Sequence, residues 1–453
     1  MRIRTVALFL KRVVEPFSWW SIVIGSAAMT AIMLLTFVEV GLRFGFKANI
    51  PGTIEIIELL LVILFFSGFA YAEFRKAHIK VDVLTRRFSE STRLAISASA
   101  DLAAFAVVTI ICWQSFAEAA NTREAGHITG LLGIPLWPWP VVTAFFFVLF
   151  ALSILVDLLE HIDNLTAGGG KAWLKLIPGV ICVFLLIATA FWPSVLIPIK
   201  VQAPLFGVIA LLVMFALIFF HVHIGAAMAM VTLWGMSYLS NPNAGLSVLG
   251  MTTQTVASNY IWSVAPLFMW MGLVVSAAKF SKDIYDSAYK WLGHAPGGLA
   301  SATVGACGVF ASVVGDPLSG AVTMSTVALP QMKKYGYDIK LASGAIATGS
   351  TLGILIPPSL SFIVYGIFVE QSIGRLFIAG IVPGVIAAAM LIGLIYVRCR
   401  INPQLGPPGP AYSFAEKMRS MGASFPTLLL FVIVIGGMYV GIFTATEAAA
   451  IGV

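Results

Sequence analysis

The most informative stretch of the sequence is Gly315-Asp-Pro-Leu-Ser-Gly-Ala-Val-Thr323, which lies midway through an apolar run over residues 298–330. A chain that turns back at membrane depth must satisfy the free backbone groups of its turn within protein or a water-filled cavity. Glycine allows the close backbone approach that this requires, and serine and threonine supply hydroxyl groups. We therefore predict a re-entrant hairpin whose tip holds Asp316 near the middle of the bilayer.

Two interpretations of Asp316 stay open at this point. A carboxylate at that depth is costly unless it has a positive partner. A sodium ion would fit, because hard cations are coordinated by carboxylate, hydroxyl and carbonyl oxygens. Asp316 followed by Pro317 is also a standard helix start, with an N-cap residue before a proline in the first turn. The two roles are compatible with each other.

A second interruption is predicted in Ala347-Thr-Gly-Ser-Thr-Leu-Gly-Ile-Leu-Ile-Pro-Pro-Ser-Leu360. Proline removes a helix hydrogen bond and clashes with the preceding turn, so Pro357 and Pro358 should break the helix. The run over 341–369 is nonetheless uncharged and long enough to span a bilayer. This pattern predicts a discontinuous transmembrane helix, from which secondary transporters build their substrate and ion sites. A kinked helix without a ligand is the alternative.

The composition supports a membrane protein throughout. Of the 453 residues, 59% are hydrophobic and only 10% are charged, and the mean hydropathy is +0.97. Soluble domains carry about 25% charged residues, and this chain contains about a dozen apolar runs of near-spanning length. We predict an all-α polytopic membrane protein. The sequence has no phosphate-binding loop of the ATPase type and no recognisable catalytic set, so neither an ATPase subunit nor an enzyme is expected.

The positive charges indicate an orientation rather than a nucleic-acid surface. With the N-terminus in the cytoplasm and both ends of the 298–330 hairpin on that side, most lysines and arginines fall inside. Of the 27 lysines and arginines, those assigned to the outer side are Arg43, Lys47, Arg123, Lys200 and Arg375. A full crossing by the hairpin would move the later basic clusters outside, which is why the charge bias favours a re-entrant hairpin.

A change in composition divides the chain. Residues 1–165 are predicted to form a small four-helix domain, residues 166–202 a glycine linker with a connector transmembrane helix, and residues 203–453 a larger domain rich in small residues. Phe280–Leu292 is predicted to be an amphipathic helix on the inner surface. His221 and His223, at a predicted helix–helix turn, are interpreted as surface polar residues.

Six motifs in the larger domain, in order along the chain, resemble the large membrane subunit of tripartite ATP-independent periplasmic (TRAP) transporters. Residues 1–165 resemble the small subunit of the same family, most visibly at Ala77-His-Ile-Lys-Val-Asp-Val83. The whole is similar to a fused small-plus-large subunit. The six motifs are Pro266-Leu-Phe-Met-Trp-Met-Gly272, Trp291-Leu-Gly-His-Ala-Pro-Gly-Gly-Leu299, Ala328-Leu-Pro-Gln-Met332 with Tyr335-Gly-Tyr-Asp338, Gly349-Ser-Thr-Leu-Gly-Ile-Leu-Ile-Pro-Pro-Ser359, Leu376-Phe-Ile-Ala-Gly380 with Pro383-Gly384, and Phe443-Thr-Ala-Thr-Glu-Ala-Ala-Ala450.

The resemblance implies a function. It implies an elevator-type importer in the bacterial inner membrane, driven by sodium, that takes a small organic anion (a carboxylate or sugar acid) from a periplasmic substrate-binding protein. The implied sodium site comprises Gly315, Asp316, Thr348, Gly349, Thr351 and Gly353, and the implied substrate contacts are Ser319, Thr323, Pro358 and Ser359.

The sequence departs from the family pattern in two ways. Asp316-Pro317 stands where family members often carry a serine pair, so the ligand set at the tip is open. Family large subunits also contain two inverted repeats, and this sequence ends at Val453, inside the helix that would open the second. The expectation is therefore the first half of an inverted-repeat transporter, either as a fragment or with a split partner. The alternative is a truncated, non-transporting membrane scaffold that only docks partner subunits.

Overall fold

The computed structural model describes residues 2–167, 172–192, 202–278, 280–315 and 317–453, and these residues form helices without any β-strand. Eight of the helices described are long and apolar enough to cross a membrane. The prediction of an all-α polytopic membrane protein is confirmed. The eight spans are Ile3–Phe46, Thr53–Phe74, Glu90–Glu124, Pro138–Ala167, Trp173–Phe191, Tyr260–Ala277, Ile339–Phe368 and Ile373–Ile401.

The chain divides into two compact units. The first contains Met1–Ala31 and Pro51–Tyr260, and the second contains Ile32–Ile50 and Ile261–Val453. One long helix, α1 (Arg2–Phe46), contributes to both. The domain boundaries at residues 165 and 203 rest on the composition and motifs of the sequence, and they stay a prediction. The predicted glycine linker lies partly outside the described residues, as does the end of the predicted connector helix.

The helices of the first unit form a packed bundle. After α1 its helices are α2 (Thr53–Ser67), α3 (Phe69–Phe74), α4 (Glu90–Glu124), α5 (Pro138–Ala167), α6 (Ile177–Phe191), α7 (Ala203–Phe219), α8 (Ile224–Leu239) and α9 (Pro242–Ala257). The buried face of α4 is lined by small residues such as Ala103 and Ala104, while α5 buries Phe150 and Ile154. Small side chains on one helix let a neighbour with large side chains approach closely.

The second unit is built around the predicted hairpin. Its helices are α10 (Val264–Ala277), α11 (Phe280–Leu292), α12 (Gly298–Val314), α13 (Pro317–Lys334), α14 (Ile339–Ser350), α15 (Leu352–Leu355), α16 (Leu360–Phe368), α17 (Ile373–Ile401), α18 (Phe414–Phe431), α19 (Gly437–Tyr439) and α20 (Ala445–Gly452). The side chains of Phe310 and Met324, one on each arm of the hairpin, are fully buried. The core of this unit therefore lies on the hairpin itself.

Helices α12 and α13 run antiparallel, as the hairpin prediction requires. The backbone N–H of Leu299 donates to the hydroxyl of Tyr337 at 3.1 Å, so the two ends of the hairpin lie side by side. Farther along, the Thr303 hydroxyl lies 3.9 Å from the sulfur of Met332. The chain reverses at Gly315, whose φ is +67°. The side of the membrane from which the hairpin enters stays a prediction.

Tyr337 fixes the base of the hairpin. Its hydroxyl accepts from Leu299 and donates to the carbonyl oxygen of Pro407 at 2.9 Å. Burial raises the pKa of Tyr337 to about 12, so the phenol stays protonated and keeps donating this hydrogen bond at physiological pH. The Tyr337 side chain is therefore uncharged.

The helix predicted over residues 280–292 is present as α11 (Phe280–Leu292). Ile284 and Tyr285 are buried against the second unit's core, while Trp291 is exposed, with the ammonium group of Lys417 5.8 Å from its ring centroid. One face of the helix thus packs on the protein. Its place relative to a membrane surface stays a prediction.

The interpretation of His223 as a surface residue is wrong. His223 is buried, and its Nε2 atom lies 3.0 Å from a carboxylate oxygen of Glu73. His221 is half-buried. The local pattern of two polar residues at a turn predicts exposure, but distant acidic residues fold onto this turn and provide buried partners.

Candidate functional site

The hairpin tip and the broken helix meet through their backbones. The N–H of Leu360 donates to the carbonyl oxygen of Gly315 at 3.3 Å. A Cβ atom added at Gly315 would lie 2.5 Å from the carbonyl oxygen of Pro358. Because Gly315 also adopts a left-handed conformation, glycine is the residue that satisfies both the turn and the close approach. The two predicted interruptions therefore form one site.

The break itself spans Ile356 to Ser359. Proline has no N–H, so Pro357 and Pro358 cannot donate to the carbonyl groups of Gly353 and Ile354 one turn earlier. The Ser359 hydroxyl replaces one of these donors, because it bonds to the carbonyl oxygen of Ile354 at 2.7 Å. Ser359 is fully buried, and the next helix, α16, begins directly after it. The carbonyl oxygen of Gly353 lacks its helical donor.

Helix α17 provides a further wall of the site through two glycines. A Cβ atom at Gly380 would lie 2.4 Å from the carbonyl oxygen of Leu355, and one at Gly384 would lie 2.6 Å from the side chain of Ile356. Residues spaced by four lie on one face of a helix, and glycines in this spacing let another backbone approach. The sequence analysis quoted both glycines as motif residues but assigned them no place in the site.

The arms of the hairpin hold α14 against them through small residues. A Cβ atom at Gly349 would lie 3.2 Å from the Cys307 side chain, and one at Gly320 would lie 3.7 Å from Ser350. The Cys307 sulfur and the Ser350 hydroxyl are 3.8 Å apart. The C-terminal end of the first half of the broken helix is therefore packed against both arms of the hairpin.

The residues assigned from sequence occupy different environments. Gly349, Gly353, Pro358 and Ser359 are buried at the break, and Gly315 is buried at the tip. Thr348 and Thr351 are exposed, and their hydroxyls donate to the carbonyl oxygens of Gly344 at 2.7 Å and Thr348 at 2.6 Å. The half-buried Ser319 and Thr323 lie on α13.

Asp316 lies outside the described residues, between the C-terminus of α12 and the N-terminus of α13. The polar atoms seen around the tip and the break are backbone carbonyls, backbone amides and hydroxyls. Hard cations such as sodium are coordinated by carbonyl and hydroxyl oxygens of this kind. The assignment of individual residues to sodium or substrate remains a prediction.

The chain matches two family models. The model of the large component, described as "Tripartite ATP-independent periplasmic transporter, DctM component", matches residues 211–453, and the model of the DctQ component matches residues 32–164. The chain belongs to the TRAP transporter family. Both components of this TRAP chain lie in one polypeptide, which confirms the fused small-plus-large arrangement predicted from the motifs.

Curated TRAP proteins are similar over different shares of the chain. The large permease protein DctM of a C4-dicarboxylate TRAP transporter from Vibrio cholerae is 37% identical over 214 residues, 47% of each chain. The sialic acid TRAP permease SiaT of Haemophilus influenzae is 27% identical over 94% of this chain and 69% of its own length. The isethionate TRAP permease DctMQ of Oleidesulfovibrio alaskensis is 26% identical over 83% of this chain and 56% of its own length.

The alignments with the large permease proteins cover only part of those relatives. This TRAP chain spans about half the length of the curated DctM proteins from Vibrio cholerae and Pseudomonas aeruginosa that it matches. The family and the several apolar helices together indicate a multi-pass membrane protein, and the curated relatives themselves are named as transporter permeases.

Proposed function

We propose that this TRAP chain is the membrane component of a sodium-driven secondary transporter that imports a small organic anion. A periplasmic substrate-binding protein delivers the anion, and the hairpin and broken helix carry it across the inner membrane in an elevator movement. One observation carries the proposal. The hairpin tip at Gly315 and the helix break at Pro358 interlock through backbone atoms.

The electrostatics of helix ends support an ion and an anion at this place. The N-terminal ends of α13 and α16 meet here, and helix N-termini attract negative groups. The C-terminal ends of α12 and α15 present carbonyl oxygens, which attract a cation. Interrupted helices therefore offer both charges a partner through their backbone dipoles.

The names of the relatives support the class of substrate. C4-dicarboxylates, sialic acid and isethionate, for which the three relatives are named, are small organic acids that are anions at neutral pH. The proposal therefore extends to a carboxylate or sugar acid as the substrate of this chain. The predicted cytoplasmic N-terminus would place the basic clusters on the inner side.

The proposal is tested by uptake into proteoliposomes that contain this chain. Radiolabelled succinate, sialic acid and isethionate are offered in turn with a periplasmic binding protein specific for each, with and without an inward sodium gradient. We expect uptake of one of them to require both the gradient and the binding protein. Uptake that is equal without sodium would contradict sodium coupling. Docking of the binding protein without any uptake would support the scaffold alternative instead.

A second test addresses the ion site. Asp316→Ala and Thr351→Val are expected to weaken sodium-dependent uptake, because each removes an oxygen from the implied site. Ser343→Ala is the matched control, since its hydroxyl also donates to a helix carbonyl, at 2.8 Å, one to two turns before the site. Unchanged sodium dependence in both site variants would contradict the assignment.

A further inference from the structure

The first unit contains three carboxylates that are almost completely withdrawn from solvent. Glu73 at the end of α3, Asp101 on α4 and Asp157 on α5 have relative exposures of 1%, 0% and 3%. The carboxyl groups of Glu73 and Asp157 also face each other. Buried carboxylates require cations nearby, because an unpaired charge in such a place is costly.

Two lysines and four histidines surround these carboxylates. The ammonium group of Lys80 lies 3.5 Å from Glu73 and 3.4 Å from Asp101, and that of Lys76 pairs with Asp157. His223 lies 3.0 Å from Glu73, and His161 lies 2.7 Å from Asp101. The Glu73 cluster comprises Glu73, Lys76, His78, Lys80, Asp101, Asp157, His161, His221 and His223.

The charge balance of this cluster depends on histidine. The three carboxyl groups carry at most three negative charges, fewer where Glu73 and Asp157 share a proton, so the two lysines and at most one protonated histidine make the group neutral. A second and third protonated histidine would leave an excess of positive charge among groups that are packed together. The rings of His78 and His223 are 5.4 Å apart, and His221 experiences the charges of Lys80, Asp101 and His161. Additional protons therefore create repulsion.

The cluster connects the parts of the chain that match the two TRAP components. His221 and His223 lie in the range matched by the DctM model, whereas the other members lie in the range matched by the DctQ model. Between the two histidines, Val222 is buried against Ala100 and Ala227. The turn from His221 to His223 is thus held on the small-component helices by both apolar and charged contacts.

We propose that the Glu73 cluster is a protonation-dependent lock. It holds the turn His221–His223 against the helices of the small component at neutral pH, and it releases the turn when further histidines of the cluster take up protons. The lock is independent of the sodium site and does not rest on the proposed transport function.

The pKa shifts of two half-buried histidines support the direction of this switch. Burial lowers the pKa of His78, and burial followed by the nearby charge of Lys80 lowers the pKa of His221. A depressed pKa means that the open turn binds protons more readily than the closed one. The turn is therefore held most strongly above the ordinary histidine pKa of about 6.5, and this stabilisation is lost as the pH falls below that value. The other charged group that faces His221 is Asp82.

A thiol introduced at position 222 reports whether the turn is open. Cys112 and Cys182 are first replaced by serine, and Val222→Cys is then introduced as the reporter. The rate at which a maleimide labels this thiol is divided by the rate in unfolded protein at the same pH, which removes the effect of pH on the thiol itself. The buried Cys307 and Cys399 serve as internal references that should not respond. We expect labelling of the introduced thiol to be about tenfold faster at pH 5.5 than at pH 7.5, which corresponds to an opening free energy that is lower by about 1.4 kcal/mol.

Histidine variants assign the effect to the cluster. The double variant His221→Gln, His223→Gln should reduce this pH dependence to less than about twofold, since the positions can no longer be charged. His127→Gln, which changes an exposed histidine of the same unit, should leave it unchanged. If the double variant does not fold, His78→Gln is used, and it should also lower the pH dependence.

Two results would overturn the lock. One is labelling at position 222 that is equally slow at both pH values when all the histidines are present. The other is a full pH response that persists in the double variant or, where this is used, in His78→Gln. Neither readout depends on sodium or substrate, so failure of the lock and failure of the proposed transport are separate outcomes.

Discussion

The tip–break site and the Glu73 cluster solve the same physical problem by opposite means. Both place polar atoms in a membrane-embedded bundle. At the tip and the break most of the described polar atoms are backbone groups, which proline leaves without a helical partner and which Gly315 and Gly380 allow to approach closely. In the Glu73 cluster the polar atoms are charged side chains that pair with each other, although the backbone of Lys76 and of His221 has a positive φ, 54° and 72°.

The difference has consequences for how each region fails. A site made of backbone dipoles is damaged by an added methyl group, because the close approach is lost. A site made of paired charges is damaged by a removed charge, because its partner is left buried and unpaired. The backbone site can also receive a mobile ion, since its oxygens carry no fixed counter-charge.

The largest effect is expected from Lys80→Met in the charged cluster. This change leaves the carboxylates of Glu73 and Asp101 without their shared cation, and breaking a buried pair typically costs about 3–5 kcal/mol. Chemical denaturation of the detergent-solubilised chain measures the loss. Arg86→Met is the matched control, because it removes an exposed partner of Asp82 and should cost far less stability. Equal losses in the two variants would refute a special role for Lys80.

At the backbone site, Gly315→Ala should have the next largest effect. An alanine in the left-handed conformation costs about 1–2 kcal/mol, and forcing its methyl group against the Pro358 carbonyl adds about 1–3 kcal/mol. Gly336→Ala separates the two terms, since Gly336 has a φ of +73° but open space around it. The same denaturation assay should show a smaller loss for Gly336→Ala. If both variants lose the same free energy of unfolding, the tip does not depend on its contact with the break.

Gly380→Ala tests the wall that α17 provides. The added methyl group would lie 2.4 Å from the Leu355 carbonyl oxygen, and overpacking of this kind costs about 1–3 kcal/mol. Gly393→Ala on the same helix has no atom near its Cβ position and should stabilise the chain by about 0.5–1 kcal/mol. Melting temperatures of the two variants should therefore move in opposite directions.

Ser359→Ala is expected to have a moderate effect. It removes the donor to the Ile354 carbonyl in a fully buried place, which costs about 1–3 kcal/mol when the acceptor stays unsatisfied. Ser361→Ala, two residues later and exposed, is the control. A loss in the control as large as that in Ser359→Ala would show that the helix start, not this hydrogen bond, determines stability.

Thr351→Val is expected to have the smallest effect on folding but a clear effect on sodium affinity. Its exposed hydroxyl bonds within its own turn, so stability should change little. Sodium affinity, measured as the rise in melting temperature with added sodium chloride over choline chloride, should fall about tenfold if one ligand worth about 1.4 kcal/mol is lost. Ser343→Ala should keep the wild-type sodium response. An unaltered response in Thr351→Val would remove this residue from the site.

Much of the backbone site is predictable from sequence because its signals are local. The combination of glycine, aspartate and proline at 315–317 gives the position of the reversal, and α12 ends at Val314 while α13 begins at Pro317. The tandem prolines give the position of the break within a residue or two. These signals act on their own backbone, so no knowledge of distant contacts is needed.

The contribution of α17 is harder to predict. Gly380 and Gly384 are quoted in the sequence motifs, but a glycine spacing of four does not say which neighbour approaches. The break reaches them only after the chain turns back through α16. Which helices approach each other closely depends on how the whole bundle packs.

The Glu73 cluster is the part that sequence reasoning missed. Its members lie far apart along the chain, from Glu73 to His223, and they belong to three helices and two connections. Single-sequence patterns predict which residues are polar but not which helix faces meet. The available signal was the presence of Asp101 and Asp157 inside long apolar runs, where a charged residue needs a partner.

The length of α1 has a mechanical consequence. Its 45 residues, at about 1.5 Å each, make a rod of about 68 Å, whereas a bilayer with its headgroups is about 40–45 Å thick. Several turns must therefore stand outside the lipid, and the N-terminal turns carry Arg2, Arg4, Lys11 and Arg12. There the ammonium group of Lys11 reaches Glu160 near the end of α5, at 3.2 Å. The N-terminal turns of α1 thus project beyond the lipid as a rigid extension that this ion pair braces against α5.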